Sequence, residues 1–131
     1  LSNRSLIFKF MIINEYEAQR RLVDEINKVA ETSAIIVEGK NDKKALQQIG
    51  IKGEFYLIKQ SYRGLEEAAE NISKRYKKII FMIDRDPAGR KLLKKLKQIF
   101  NKLGVKINES FMLRLLSLCD TVTVESVKPI V

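Results

Sequence analysis

Three acidic side chains follow apolar segments of the chain, where carboxylate chemistry could be placed. Asp84 and Asp86 stand one residue apart after the run "IIFMI" (79–83), and Glu38 directly follows "AIIV" (34–37). Carboxylates that are forced together repel each other, by roughly 4 kcal/mol for two charges 4 Å apart at an effective dielectric constant of 20. Such a group must therefore hold a proton or bind a cation.

The residue types that are missing narrow the choice of cation. The chain contains no histidine and a single cysteine, Cys119. Histidine-based acid–base catalysis, Ser-His triads and most zinc sites are therefore excluded. Ligands that offer only oxygen indicate a hard cation. The sequence thus predicts a site for Mg²⁺ (or Mn²⁺) with Asp84, Asp86 and Glu38 as its ligands.

A structural interpretation of the same acids stays open at this point. Asp86 precedes Pro87, and this pair is typical of a helix start, because Asp caps the helix and Pro suits its first position. Asp84 would then be only a polar residue at the end of a strand. The combination with Glu38 favours the metal site, provided that the fold brings the two strand ends together.

The hydrophobic pattern predicts the elements that must position these acids. Continuous apolar runs are typical of strands buried on both faces, and amphipathic stretches are typical of helices packed on a sheet. We predict strands at 34–37, 55–58, 79–83 and 105–107, and an edge strand at 121–124. We predict helices over 15–31, between the cap Asn41 and Gly50, over 64–76, between the cap Asp86 and Gly104, and over 110–119.

Alternation of strands and helices predicts a single α/β domain with a central parallel four-stranded sheet of order 2-1-3-4, flanked by helices. In this order the first and third strands are neighbours. Ligands of open parallel sheets bind beyond the carboxyl ends of the strands, where the strand order reverses. Glu38 and the two aspartates are therefore expected in one crevice.

The sequence also predicts a domain boundary near the N-terminus and the location of the protein. Met11 opens the segment "MIINEYEAQ", so we interpret residues 1–10 as an N-terminal extension and 11–131 as one domain that begins with a helix. No apolar run approaches the roughly 20 residues that span a bilayer. The single cysteine fits a reducing compartment, and we expect a cytoplasmic protein without a membrane partner.

A strong positive charge accompanies the acidic residues. The net charge of +9 indicates a polyanionic partner, for which nucleic acid is the default, although a solvated lysine-rich surface is the alternative. Much of this charge lies in the predicted helix after Asp86. The candidate residues for binding phosphate or nucleic acid are Lys40, Arg63, Arg85, Arg90, Lys91, Lys94 and Lys95.

Two segments resemble signature motifs of a known family. "IIVEGKNDKKAL" (35–46) and "IIFMIDRDPAGRKL" (79–92) are similar to the two motifs of the Toprim domain, a Rossmann-like domain of topoisomerases, primases and several nucleases. The residues that match the motifs are Glu38, Asp84, Asp86 and Gly89. The chain most resembles the small, stand-alone, primase-like Toprim proteins of archaea.

The resemblance implies roles for the acidic residues. Asp84 and Asp86 would hold Mg²⁺, and Glu38 would act as general acid or base and also contact the metal. The sequence shows neither the tyrosine-bearing domain of a topoisomerase nor the zinc domain of a primase, so we expect a metal-dependent nuclease that cleaves RNA, or else DNA.

Two other functions stay open. One is a non-catalytic nucleic-acid-binding module within an RNA-processing or DNA-repair assembly, where it would have a protein partner. The other is a small α/β protein that handles a phosphate metabolite.

Overall fold

Four short parallel strands form the centre of the protein. The computed structural model describes residues 3–60 and 64–130. The strands are β1 (Ala34–Val37), β2 (Phe55–Leu57), β3 (Lys78–Met82) and β4 (Lys106–Asn108). The helices are α1 (Asn3–Ala30), α2 (Lys40–Gln48), α3 (Leu65–Arg75), α4 (Pro87–Lys102) and α5 (Ser110–Leu118).

The strand order is β2-β1-β3-β4, and every pairing is parallel. This confirms the predicted α/β class and the order 2-1-3-4. Val37, the last residue of β1, lies opposite Leu57 of β2 and Met82 of β3. The residues that follow these three strands therefore leave the sheet at one common edge.

The hydrophobic core lies on both faces of the sheet. All four residues of β1 are buried, as expected for a strand covered by helices on both sides. The apolar stripe of α4 contributes Leu93, Leu96 and Phe100, and the Phe100 ring packs 6.0 Å from that of Phe81 in β3. Full burial of each such side chain stabilises the fold by about 1.5–3 kcal/mol, so this stripe fixes α4 against the sheet.

Helix α1 begins much earlier than its hydrophobic pattern predicted. It starts at Asn3 rather than near residue 15. The hydrophobic pattern indicated the later start because the buried positions of the helix begin only at Gln19 and Leu22. The large apolar side chains of its first half are exposed, namely Leu6, Ile7, Phe8, Phe10, Met11 and Ile13. The division between 1–10 and 11–131 stays a prediction, and α1 runs across it.

The predicted edge strand at 121–124 is wrong. A short 3₁₀ helix covers Val124–Ser126 instead, and the segment pairs with no strand among the described residues. Its backbone bonds to the strand end of β3: the Arg85 N–H donates to the Val122 carbonyl at 2.7 Å, and the Val124 N–H donates to an Asp84 carboxylate oxygen. A side-chain acceptor thus takes the place of a neighbouring strand.

The start of α2 also differs from the prediction. The helix begins at Lys40 with Gly39 as its N-cap, so Asn41 lies inside the helix and the prediction that it caps α2 is wrong. The Asp42 carboxylate accepts the Gly39 N–H at 3.1 Å, which moves the start of the helix toward β1. Within the described residues, no helix has the length and apolar character that crossing a membrane requires.

Candidate metal centre

Glu38 is the first residue beyond β1, and its side chain is only 12% exposed. Its Oε2 lies 2.7 Å from Nζ of Lys59, which belongs to the 3₁₀ helix (Ile58–Gln60) that follows β2. The Lys59 N–H also donates to the Glu38 carbonyl at 3.1 Å. A nearly buried carboxylate is therefore compensated by a cation from the neighbouring strand end.

Asp84 lies two residues beyond β3 and is partly buried. Its Oδ1 accepts the Val124 N–H at 2.7 Å. Burial raises the pKa of the Asp84 carboxyl, the Val124 hydrogen bond lowers it, the charges of Glu38 and Asp86 raise it further, and Lys59 lowers it. The structure therefore brings the strand ends of β1 and β3 close enough for their acids to repel each other.

Asp86 caps α4, as predicted. Its Oδ1 accepts the Gly89 N–H at 2.8 Å, and Pro87 occupies the first position of the helix. The helix approaches the strand end so closely that a Cβ on Gly89 would lie 2.0 Å from the Asp84 carbonyl oxygen. Only a glycine fits there, which explains why the motif has Gly89 after the two aspartates.

Two further acids belong to this crevice and were missed in the sequence. Asp42 lies in the first turn of α2, and Glu125 lies in the 3₁₀ helix Val124–Ser126. Burial raises the pKa of Asp42, its hydrogen bond with Gly39 lowers it, and the charges of Asp84, Glu38 and Glu125 raise it. An acid in the first turn of a helix is common, and Glu125 follows a segment that alternates like a strand, so neither gave a distinct signal.

Lys59 was missed as well, although the fold rule for strand ends could have found it. It follows β2 at the same sheet edge as Glu38. A basic residue at a strand end is a candidate by the same rule that singled out the acids.

The donor types at this edge suit a hard divalent cation. Asp84 and Asp86 each use Oδ1 to accept a backbone N–H, and no described residue donates to either Oδ2. Carboxylate oxygens are the ligands that Mg²⁺ and Mn²⁺ prefer. Across residues 3–60 and 64–130, however, no three acidic or cysteine side chains stand ready to hold a metal ion together. The chemistry of the donors therefore fits the metal, while Glu38 is engaged with Lys59.

A basic groove of about 420 Å³ runs along α4, the helix that follows the two aspartates. Leu93 provides apolar surface in it, and Lys97 is held by an ion pair of 2.8 Å with Glu109. The Arg90 Nε donates to the Arg85 carbonyl at 3.0 Å, which places this side chain at the start of the helix. The residues that line the groove are Arg85, Arg90, Leu93, Lys94, Lys97, Gln98, Asn101 and Glu109.

Three of the predicted phosphate-binding residues, Arg85, Arg90 and Lys94, therefore lie together in the groove. Lys91 and Lys95 are exposed on α4 but do not line it, and Lys40 is exposed at the start of α2. Arg63 lies outside the described residues.

Comparison with known proteins gives the class to which this fold and site correspond. The Toprim domain family matches residues 33–114, and the chain belongs to this family. The match contains both motifs and the strands β1 to β4, so the predicted resemblance is confirmed.

Several archaeal proteins are similar to this chain. The UPF0292 protein of Methanocaldococcus jannaschii is 36% identical over 93 residues, which cover 71% of this chain and 72% of that protein. The UPF0292 protein of Methanosarcina barkeri is 32% identical over 113 residues, or 84% and 78% of the two chains. A solved structure of a protein from Aquifex aeolicus superposes with a TM-score of 0.67 at 27% identity, covering 81% of this chain and 94% of that one.

Membership of the family sets the general class of function. Toprim domains typically bind divalent metal and are associated with nucleic acid.

Proposed function

We propose that this protein cleaves RNA phosphodiester bonds with Mg²⁺ or Mn²⁺. Asp84 and Asp86 would bind the metal, and Glu38 would be the general acid or base and an additional ligand. The observation that carries this proposal is the position of Glu38 and Asp84 just beyond the paired parallel strands β1 and β3, near a groove lined by basic residues.

The acidic residues of the crevice would have different roles in the reaction. A bound divalent ion would supply polarisation of the scissile phosphate and stabilise the charge that develops on it. Asp84 and Asp86 would hold that ion through Oδ2, since each Oδ1 already accepts a backbone N–H. Glu38 would transfer a proton to or from an oxygen of the phosphodiester, and its shielded position limits competition from bulk water.

The basic residues would bind the phosphate backbone. Arg85, Arg90 and Lys94 line the groove along α4, the helix that Asp86 caps. Lys40 is exposed at the start of α2, two residues after Glu38. Arginine binds phosphate oxygens through paired hydrogen bonds, whereas lysine acts as a point charge. A strand of RNA would thus run along α4 and present one phosphate to Glu38 and the aspartates.

Cleavage assays with structured RNA, single-stranded RNA, single-stranded DNA and duplex DNA test the proposal. We expect RNA cleavage that requires Mg²⁺ or Mn²⁺ and that falls at least about 100-fold in Glu38→Gln, Asp84→Asn and Asp86→Asn. Asp24→Asn, on the exposed surface of α1, is the matched control and should cleave like the wild type. Cleavage of DNA alone would contradict the choice of substrate, and equal activity of all variants would contradict the site.

A non-catalytic binding module is the second candidate, in which the chain would serve an RNA-processing or repair assembly. The observation in its favour is that Lys59 engages Glu38 and that no three described acidic side chains are arranged around a metal position. Nucleic-acid binding that survives EDTA, without turnover of any substrate in the panel, would establish this alternative.

A further inference from the structure

The crevice already contains a cation of the protein itself. The ammonium group of Lys59 contacts Glu38 at 2.7 Å, and the side chains of these two residues are 64% and 12% exposed. Lys59 therefore approaches a shielded carboxylate from the solvent side. Its N–H bond to the Glu38 carbonyl holds the backbone of the lysine beside its partner, so the contact does not depend on a long side chain alone.

The charge of Lys59 acts on more than one acid. The hydrogen bond and the charge of Glu38 raise the pKa of Lys59, and the charges of Asp42 and Asp84 raise it further. Among the ion pairs of the described residues, the pair with Lys59 is the one that involves an acid of this crevice. One monovalent cation thus offsets several carboxylates, which is an incomplete neutralisation.

We propose that Lys59 is the resident counter-ion of the crevice and that a divalent metal ion displaces it from Glu38. The released ammonium group would then bind a phosphate oxygen of the nucleic acid. The inference rests on the proposed metal site. It also accounts for the arrangement of the acids, because Lys59 occupies Oε2 of Glu38 and its positive charge competes with a metal ion for the same carboxylate.

This exchange has two consequences that differ in sign. In the absence of nucleic acid, Lys59 competes with the metal and weakens its binding. In the presence of metal, the exposed ammonium adds a phosphate contact and strengthens binding of the nucleic acid. A lysine with only a structural role would produce neither the opposite signs nor the dependence on metal.

Mn²⁺ titration of the full chain, followed by the electron paramagnetic resonance signal of free Mn²⁺, tests the first consequence. Loss of an ion pair of this exposure should tighten Mn²⁺ binding about threefold to tenfold in Lys59→Gln. Lys59→Arg keeps the competing charge and should bind like the wild type. Lys52→Gln changes an exposed lysine before β2, at the opposite edge of the sheet, and should have no effect.

Binding of a single-stranded RNA oligonucleotide, with Ca²⁺ or with EDTA, tests the second consequence. Lys59→Gln should lose about threefold to tenfold in RNA affinity with Ca²⁺ and change less than about twofold with EDTA. Lys59→Ala serves as a second variant. Because the lysine side chain is largely exposed, its truncation opens no buried cavity, and thermal unfolding verifies that each variant folds.

The outcomes separate this inference from the proposed function. If wild type and Asp84→Asn bind Mn²⁺ equally, the metal site itself is wrong. If Asp84→Asn loses Mn²⁺ binding but Lys59→Gln and Lys59→Ala bind Mn²⁺ no more tightly than wild type, only the role of Lys59 is overturned. Tighter Mn²⁺ binding together with weaker RNA binding supports the exchange.

Discussion

Gly89 is the residue at which the contact between helix and strand end is closest. A Cβ at this position would lie 2.0 Å from the carbonyl oxygen of Asp84. This oxygen belongs to the backbone, so it cannot rotate aside as a side chain could. The same contact sets the distance between Asp84 and the helix start at Asp86. The absence of a side chain at Gly89 therefore allows the spacing between Asp84 and Asp86, the two proposed ligands.

Gly89→Ala should consequently destabilise the protein by about 3 kcal/mol, measured by urea denaturation, because the helix start must move away from the strand. Gly39→Ala is the matched control: its backbone is extended and no atom lies within 4 Å of the added Cβ. We expect the control to cost at most about 1 kcal/mol. A Gly89→Ala variant as stable as wild type would contradict the close packing.

Asp84 illustrates a conflict between stability and the proposed function at a single residue. Its pKa is raised in the folded protein, chiefly by burial, so folding favours the protonated carboxyl. The free energy of unfolding therefore falls as the pH rises from 3.8, the ordinary pKa of this carboxyl, through the raised value. At lower pH this loss of stability is absent. In metal-free protein, the wild type should thus be less stable at neutral pH than a variant with a neutral side chain.

Asp84→Asn keeps an oxygen that can accept the Val124 N–H but removes the charge. Without metal at pH 7 we expect its Tm to exceed that of wild type by about 2–4 °C, a modest shift because the carboxyl is only partly buried. The difference should vanish at about pH 3.5, below the ordinary pKa of the carboxyl. Thermal unfolding at both pH values is the measurement, and a lower Tm for the variant at pH 7 would contradict the electrostatic argument.

At the scale of elements, the segment that follows α5 (residues 119–130) is held at two places, one of which is the crevice. Val124 is attached to Asp84, and farther along the chain the side chain of Gln19 in α1 forms two hydrogen bonds with the backbone of the segment. Its Nε2 donates to the Lys128 carbonyl at 2.9 Å, and its Oε1 accepts the Ile130 N–H at 3.0 Å. Gln19 is 5% exposed, so no water can easily replace these bonds.

Gln19→Ala should therefore loosen the segment without unfolding the domain. We expect amide hydrogen exchange at residues 124–127 to accelerate about tenfold, while exchange in β1 stays unchanged. Gln48→Ala, an exposed substitution at the end of α2, should leave both regions as in wild type. Equal exchange at 124–127 in the two variants would show that Gln19 does not hold the segment.

At the scale of the whole molecule, a strong excess of positive charge accompanies the acids at the sheet edge. The net charge of +9 would attract a polyanion. In the proposed function, the groove on α4 binds the polyanion next to the acids at the sheet edge. Lys94 lines this groove. Lys78 is also exposed but begins β3, so it lies at the opposite edge of the sheet.

The two lysines separate general attraction from a defined binding path. Lys94→Glu should weaken binding of single-stranded RNA about tenfold at moderate salt and reduce the slope of log K against log salt by about 0.7 for each phosphate that is no longer neutralised. Lys78→Glu makes the same change in net charge and should have less than about a twofold effect. Equal reductions in affinity in both variants, measured by fluorescence anisotropy, would mean that net charge alone governs binding.

The sequence by itself determined the fold class, the strand order and the acids that follow the strands. Continuous apolar runs separated by amphipathic stretches leave few arrangements other than a parallel sheet covered by helices. Asp86 and Pro87 likewise determine the start of α4 from local chemistry alone. The strands, the helices and the start of α4 depend on neighbours in the chain, and a hydrophobic pattern or a capping residue records such neighbours directly. The strand order follows from the rules that govern connections between parallel strands.

Only the tertiary structure decided which residues from distant segments meet the acids. Lys59, Asp42 and Glu125 come from three different elements. Nothing in the local sequence distinguishes Asp42 and Glu125 from ordinary surface charges, and the position of Lys59 after a strand does not reveal that it contacts Glu38. The segment at 121–124 alternates like a strand, yet it bonds to the Asp84 carboxylate and to the Arg85 backbone. Similarly, the first half of α1 forms a helix without the buried face that would have predicted it. Contacts between distant segments depend on how the elements pack, and a local pattern does not contain that information.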